Sequence, residues 1–447
     1  MKKYFVCFIV LLCVFPLKAQ TNPEPCGYMQ EVEKILKKQP NFLTWQNAMI
    51  QSAMSEYADL QSAKRRIVAD TLFYQIPVVF HVLYNDSLNE NINISYIYSQ
   101  LEELNLAFRK MTADTQRIRP VFKDIAADVR IQFVLANKDP DGNPTTGITR
   151  TYTTKTTFAT NIYGAYNDDM KYTGRGGKSA WNPTRYLNIW TCNMRFPNQV
   201  SMTLGFATPP TGAPNWWGNV TKDSTDIESG VVLHYSIVGR DNPLAISNNV
   251  EGKTAIHEVG HYLGLRHVWG DGNTQTGCTV DDGIFDTPNS RTRNYSCNKT
   301  SPPNSCIDAV NDLPDQTENY MDYSLDGCAA MFTKQQAYLM RYVLNNFRTG
   351  LPYREITHDT VFDNTSIEMY PNPLRHGQDL KLQISSPDKK QFTVQIIDIS
   401  GKQLLRQTVN SNTVEAVSIS GLANSVYFVI ISDTDNRVLE RKKLLIL

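Results

Sequence analysis

Three of the chain's seven histidines fall within one short run, His257-Glu258-Val259-Gly260-His261-Tyr262-Leu263-Gly264-Leu265-Arg266-His267. The spacing HExxHxxGxxH is chemically specific. On a helix, residues four apart lie one above the other, so His257 and His261 present two imidazoles to one ion. Glu258, one position on, is rotated off the ligand line and reaches a water rather than the metal, which suits a general base. Gly264 lets the chain leave the helix abruptly, because glycine takes positive φ at little cost. That turn brings His267 round as a third ligand. Three imidazoles leave one tetrahedral corner for water, and zinc lowers the pKa of that water to about 7 while polarising a carbonyl. The expected chemistry is hydrolysis of peptide bonds. A purely structural zinc would usually be closed by a fourth protein ligand.

Downstream lies Asn319-Tyr320-Met321-Asp322-Tyr323. Together with the zinc motif it resembles the metzincin clan. The resemblance implies that Met321 is an apolar floor under the three imidazoles. It also implies a Tyr323 phenol near the metal, stabilising the oxyanion or shuttling a proton. Within the clan the chain resembles the pappalysin family. The residues that carry the likeness are His267-Val268-Trp269-Gly270, Asp282-Gly283-Ile284-Phe285-Asp286-Thr287-Pro288, and Asn319 through Cys328. It covers roughly residues 76 to 350 and is strongest from Lys253 to Thr333.

Charge and cysteines set the class. The 447 residues carry 44 basic and 44 acidic side chains, a balance that argues for neither nucleic acid nor membrane as partner. Met1-Lys2-Lys3 followed by the apolar stretch Tyr4 to Pro16 reads as a secretory signal over residues 1–19, too short to span a bilayer. Cys13 lies inside the apolar run and is not expected to be lipidated. Export allows disulfides. Beyond the signal come Cys26, Cys192, Cys278, Cys297, Cys306 and Cys328. The last four cluster after the zinc motif, and the sequence alone leaves three pairings open. The pappalysin resemblance implies Cys278–Cys306 and Cys297–Cys328. Cys192, in a strand-like run, is expected to be a buried free thiol.

Residues 20–65 read as a pro-segment, polar and helix-compatible. A thiolate is a strong zinc ligand, so Cys26 is placed to fill the open corner and displace the water, which resembles the cysteine switch of pappalysin and related proenzymes. Lys64-Arg65-Arg66 is a candidate cleavage site. The loop from Val280 to Thr287 is rich in the oxygen donors that calcium takes. The resemblance implies Asp282 and Thr287 as ligands, with Asp281 and Asp286 as alternative surface charges. It also implies that Asp326, in the wall of the pocket just past the scissile bond, receives arginine through paired hydrogen bonds. Cleavage before Arg, with Lys weaker, would make processing at residues 64–66 autocatalytic.

The expected fold class is α+β. Residues 66–350 form a metzincin-like catalytic domain of two subdomains, with a mixed sheet and the zinc helix. Strands are expected at Ile76 to Tyr84, Val129 to Ala136, Tyr186 to Cys192 and Val231 to Tyr235. Helices are expected at Tyr96 to Lys110 and Thr333 to Phe347. Substrate would pair with an exposed sheet edge, which the Leu204 to Ala207 region could line. A linker over 351–365 leads to six short β-patterned runs over 366–447, an all-β sandwich. The order Met369-Tyr370-Pro371-Asn372-Pro373, Asp398-Ile399-Ser400-Gly401-Lys402 and the basic–apolar end Arg441 to Leu447 resembles the C-terminal sorting domain of the type IX secretion system. That implies a secreted or outer-membrane-surface protein with the secretion machinery and peptides as partners, and no transmembrane segment. The competing class is a non-catalytic secreted adhesin on the same fold; the presence of Glu258 argues against it.

Overall fold

The structure, a computed structural model, describes residues 25–62, 72–161, 165–198, 202–211, 229–245, 250–272, 275–297, 301–308, 312–351, 354–357, 366–375, 378–385, 390–398, 402–433 and 438–446. The signal over 1–19, the Lys64-Arg65-Arg66 cluster and Cys13 lie outside them. Among the described residues, no helix is long and apolar enough to cross a membrane.

Two helices open the chain, α1 (Tyr28–Lys38) and α2 (Phe42–Ser62). The hub of the sheet is β1 (Leu72–Tyr84). It runs parallel to β2 (Ile131–Leu135), β3 (Ile148–Tyr152) and β4 (Leu187–Cys192). Next come β6 (Val231–His234), parallel to β4, and β5 (Gly205–Ala207), antiparallel to β6. The order is β2-β1-β4-β6-β5, so the short β5 closes one edge. Residues 354–357, within the stretch expected to be a linker, form β7 (Arg354–Thr357), which pairs antiparallel with the start of β1. Four residues of mixed polarity carry too little alternation to announce a strand; the partner supplies the ladder. β3, of five residues, was likewise not expected from the pattern, whereas β5, of three, lies in the Leu204 to Ala207 region expected at a sheet edge.

Apolar residues of α3 (Ile94–Phe108) recur at Ile97, Leu101, Leu104 and Phe108, all fully buried. Its N-cap, Asn93, accepts from Ser95 N at 2.9 Å. Beside it lies α4 (Lys253–Tyr262), tied to α3 by Gln100 Nε2 donating to Gly252 O at 3.0 Å. A ten-residue helix is marginal alone in water. Here Ala255, Ile256 and Val259, each fully buried, fasten α4 to the sheet and to α3. The helix that carries the chemistry is therefore held by tertiary packing. After α4 a long loop runs to α5 (Lys334–Asn346), whose start is fixed by a capping box between Thr333 and Gln336. Two disulfides, Cys278–Cys306 and Cys297–Cys328, tie that loop down, each with Cα atoms 5.6 Å apart.

The C-terminal part is all-β. One sheet has the order β11 (Gln403–Asn410), β10 (Gln391–Ile397), β13 (Ser425–Ser432), β14 (Val438–Ile446). The other has β12 (Val414–Val417), β9 (Leu380–Ser385), β8 (Ser366–Tyr370). Leu382 and Ile384 of one sheet share a buried core with Val394, Val429 and Leu444 of the other. That makes a sandwich of seven described strands where six were expected.

Candidate active site

One turn of α4 places His257 and His261 on the same face, and Leu265 N donating to Gly260 O at 3.0 Å closes the turn at Gly264, φ +95°. His267 then comes back towards the helix. The three Nε2 atoms form a triangle with sides of 3.0, 3.1 and 3.3 Å. Donors about 2.0–2.1 Å from a tetrahedral ion lie at about this spacing. Each Nδ1 is held on the far side, on Tyr320 O at 2.7 Å, on Leu265 O at 2.9 Å, and on the Asp271 carboxylate for His257, His261 and His267 respectively. Those partners fix the tautomer, with the proton on Nδ1 and the lone pair of Nε2 turned inward. Burial, then His267, pushes His257 down to about 3, and burial with the neighbouring imidazoles pushes His261 well below the usual range. Three Nε2 donors converge on one buried point, and they fit a zinc ion.

Cys26 supplies a fourth donor: its Sγ and the three ligand nitrogens all lie within 4.8 Å of one another. Burial, and then Glu258, pushes the Cys26 thiol well up, so a thiolate needs a cation beside it. The segment that carries Cys26 is pinned to the sheet edge. Leu204 N donates to Pro25 O at 2.7 Å and Gly27 N donates to Gly205 O at 2.8 Å. A side chain at Gly27 would collide with the Tyr166 ring, whose atoms begin 2.5 Å from an added Cβ. The edge that was expected to receive substrate is occupied by the expected pro-segment. Tyr28 completes the plug, its ring stacked on His261 at 4.1 Å and held by Gln46 Nε2 at 2.8 Å.

Glu258 is fully buried, with the Cys26 thiol beside its carboxylate. Burial pushes its carboxyl up to about 8, against a lowering from the Cys26 thiol. It has room because position 205 is glycine: an added Cβ there would lie 2.8 Å from Glu258 Cγ. Gly260 does the same for Met321, whose Sδ would lie 2.5 Å from an added Cβ. Met321 is fully buried, its N–H on Asn319 Oδ1 at 2.9 Å. The Tyr323 ring lies 4.9 Å from that of His267, and its hydroxyl donates to Cys26 O at 3.5 Å.

A cleft beside the imidazoles is lined by Cys26, His257, Glu258, Tyr323 and Asp326, among others. Asp326 is buried and accepts from Glu251 N at 2.8 Å; burial pushes its carboxyl up to about 6. Asp282 and Thr287 also come together, Thr287 Oγ1 donating to Asp282 Oδ1 at 2.8 Å, while the buried Asp282 Oδ2 has no partner. Burial pushes the Asp282 carboxyl well up. Asp281 and Asp286 do not join them: Asp281 turns to Gly283 N and Asp286 to Gln335 N. Cys192 is a free buried thiol. Sequence reasoning missed Asp271, Tyr28, Gly205 and Gly260. Only Asp271 carried a signal, an acid four residues past the third histidine.

Comparison with known proteins agrees with this geometry. A family profile described as pregnancy-associated plasma protein-A matches residues 175–345, and one for a secretion-system C-terminal sorting domain matches residues 368–446. The extracellular metalloprotease of Arthroderma otae is 34% identical over 176 residues, 39% of this chain and 57% of the relative. The chain thus spans little more than half the length of that curated relative. Mature mirolysin of Tannerella forsythia, solved with a cleaved peptide, is 39% identical, with a TM-score of 0.54 over 63% of this chain and 96% of that one. A promirolysin mutant of the same organism is 36% identical, with a TM-score of 0.57 over 74% of this chain and 97% of that one. The sorting-domain match and the extracellular relatives mark a secreted protein. Covering the mirolysin structures almost end to end, with three inward imidazoles and the glutamate beside them, the chain belongs to the pregnancy-associated plasma protein-A (pappalysin) family of metallopeptidases.

Proposed function

We propose that the chain is a zinc-dependent endopeptidase made as a zymogen and exported through the type IX secretion system by its C-terminal sandwich. The observation that carries this is the convergence of His257, His261 and His267 Nε2 within 3.3 Å of one another, with Glu258 buried beside them. Zinc, when bound there, supplies Lewis-acid polarisation of the scissile carbonyl and acidifies water. Glu258 takes the proton of the attacking water and passes it to the leaving amine. The Tyr323 hydroxyl, which meets Cys26 O at 3.5 Å, donates to the carbonyl oxygen of the substrate as negative charge builds there. Met321 keeps the floor beneath the imidazoles apolar. In the latent chain Cys26 completes the ligand set and closes it to water.

Asp326 sets the preference for Arg, then Lys, immediately after the cut: a buried carboxylate in the cleft wall matches a guanidinium. Asp282 and Thr287 belong to a structural calcium site, for which the unpartnered Asp282 Oδ2 argues. The test is cleavage of casein and of Arg-containing peptides by the processed chain, with and without a chelator, and by Glu258→Ala. Chelation and the substitution should each remove activity by at least about a hundredfold. Cleavage that survives both would refute the assignment.

A further inference from the structure

The pro-segment does more in this structure than place a sulfur on the metal site. Eight residues past Cys26, on α1, the Lys34 ammonium lies 3.1 and 3.2 Å from the two carboxylate oxygens of Asp168. It also lies 4.4 Å above the centre of the Tyr166 ring and 2.7 Å from Glu31. Glu31 and Lys34 belong to α1; Tyr166 and Asp168 belong to the catalytic domain. When α1 departs, Asp168 keeps only Lys171, at 3.5 Å, among the partners seen here, and the face of Tyr166 is vacated.

Tyr166 also borders the track of the backbone. Its hydroxyl donates to Gly27 O at 2.9 Å, one residue past Cys26, on the stretch paired with β5. Successive residues of a strand face opposite sides. Gly205 faces Glu258, whereas Phe206 stacks on Tyr166 at 3.8 Å. A peptide extended along β5 therefore turns alternate side chains toward Glu258 and toward Tyr166 and Asp168. We propose that Tyr166 and Asp168 form a second specificity subsite, taking a lysine or arginine side chain of the substrate on the β5 side of the cleft, and that Lys34 fills it in the latent chain. This rests on the endopeptidase reading above.

The sign of the charge follows from which member of the cluster is reachable. The Lys171 side chain is fully buried, shared with Thr208 Oγ1 at 3.4 Å, and stands 3.9 Å from Glu31. Asp168 keeps 17% of its side chain exposed even under α1 and holds Lys34 much more closely. An acidic side chain would meet Asp168 first; a basic one meets a carboxylate and an aromatic face.

The test uses the processed, zinc-loaded enzyme from full-length expression and peptide pairs with the same Arg after the cut. The residues before the cut are varied one at a time between Lys and Ala. At one of these positions Lys should raise kcat/KM about fivefold, the worth of a partly exposed ion pair with a cation–π contact. The ratio should fall toward one in Asp168→Asn, and in the unaltered enzyme at about 0.5 M salt, which screens the pair without any substitution. The same ratio should appear in peptide affinity for Glu258→Ala processed in trans. No basic preference at any position, a preference that survives Asp168→Asn and salt, or a preference for acidic residues would overturn the subsite. Absence of cleavage with the binding ratio intact would overturn only the endopeptidase reading.

Discussion

Replacing Gly205 by alanine should slow the enzyme without disturbing its metal. An added Cβ would stand 2.8 Å from Glu258 Cγ, 3.1 Å from Glu258 Oε1 and 3.2 Å from Val232 O, where ordinary contacts begin at 3.4 Å. The Val232 carbonyl is part of the β5–β6 ladder and cannot yield. The Glu258 side chain must therefore give way, by about 0.6 Å at Cγ and more at its tip. Misplacing a catalytic group by about 1 Å costs on the order of a hundredfold. We expect kcat/KM to fall about ten- to fiftyfold, or about 1.4–2.3 kcal/mol of transition-state stabilisation. On the general-base role proposed for Glu258, the loss should lie in kcat. The imidazoles are untouched, so bound zinc should be unchanged. The assay is hydrolysis of a fluorogenic peptide with Arg after the cut, with metal content measured on the same samples. Activity within about twofold of the unaltered enzyme, or a loss that tracks lost zinc, would refute the reasoning.

Other outcomes follow from the same geometry. In uncleaved chain loaded with Co(II), a thiolate-to-metal absorption band should be present and should vanish in Cys26→Ala; a band that persists would exclude Cys26 as the ligand. Selectivity for Arg over Ala after the cut should fall about tenfold in Asp326→Asn. In the unaltered enzyme it should decline as the pH drops through about 6, where the Asp326 carboxyl takes up its proton. Because that carboxyl is raised from 3.8 by burial, its own contribution to stability runs the other way, falling as the pH rises from 3.8 to about 6. A selectivity flat from pH 5 to 8 would remove Asp326 from the pocket's chemistry. Calcium should raise the melting temperature of the chain and do so far less in Asp282→Ala; equal shifts in both would place the ion elsewhere.

The geometry of the site was legible because it is local. His257, Glu258 and His261 are spaced by the helix itself, and Gly264 with His267 needs only one turn more. The sheet strands with strong apolar runs, such as residues 76–84 and 187–192, were legible for the same reason. What escaped the sequence depends on contacts between distant segments. Gly205 looks like any strand glycine until Glu258 lies against it, and Gly260 looks like a poor helix residue until Met321 fills its space. Tyr28 stacks on a histidine more than two hundred residues away. Three- and four-residue strands such as β5 and β7 are shorter than any alternation that could reveal them; their neighbours define them.

The pairing of residues 25–27 with the rim of the sheet has a second effect. A naked strand border is a template on which other chains polymerise. While residues 25–27 are in place that border is capped. On the zymogen reading proposed above, their release would bare the border and the Glu258 side of the cleft in one step.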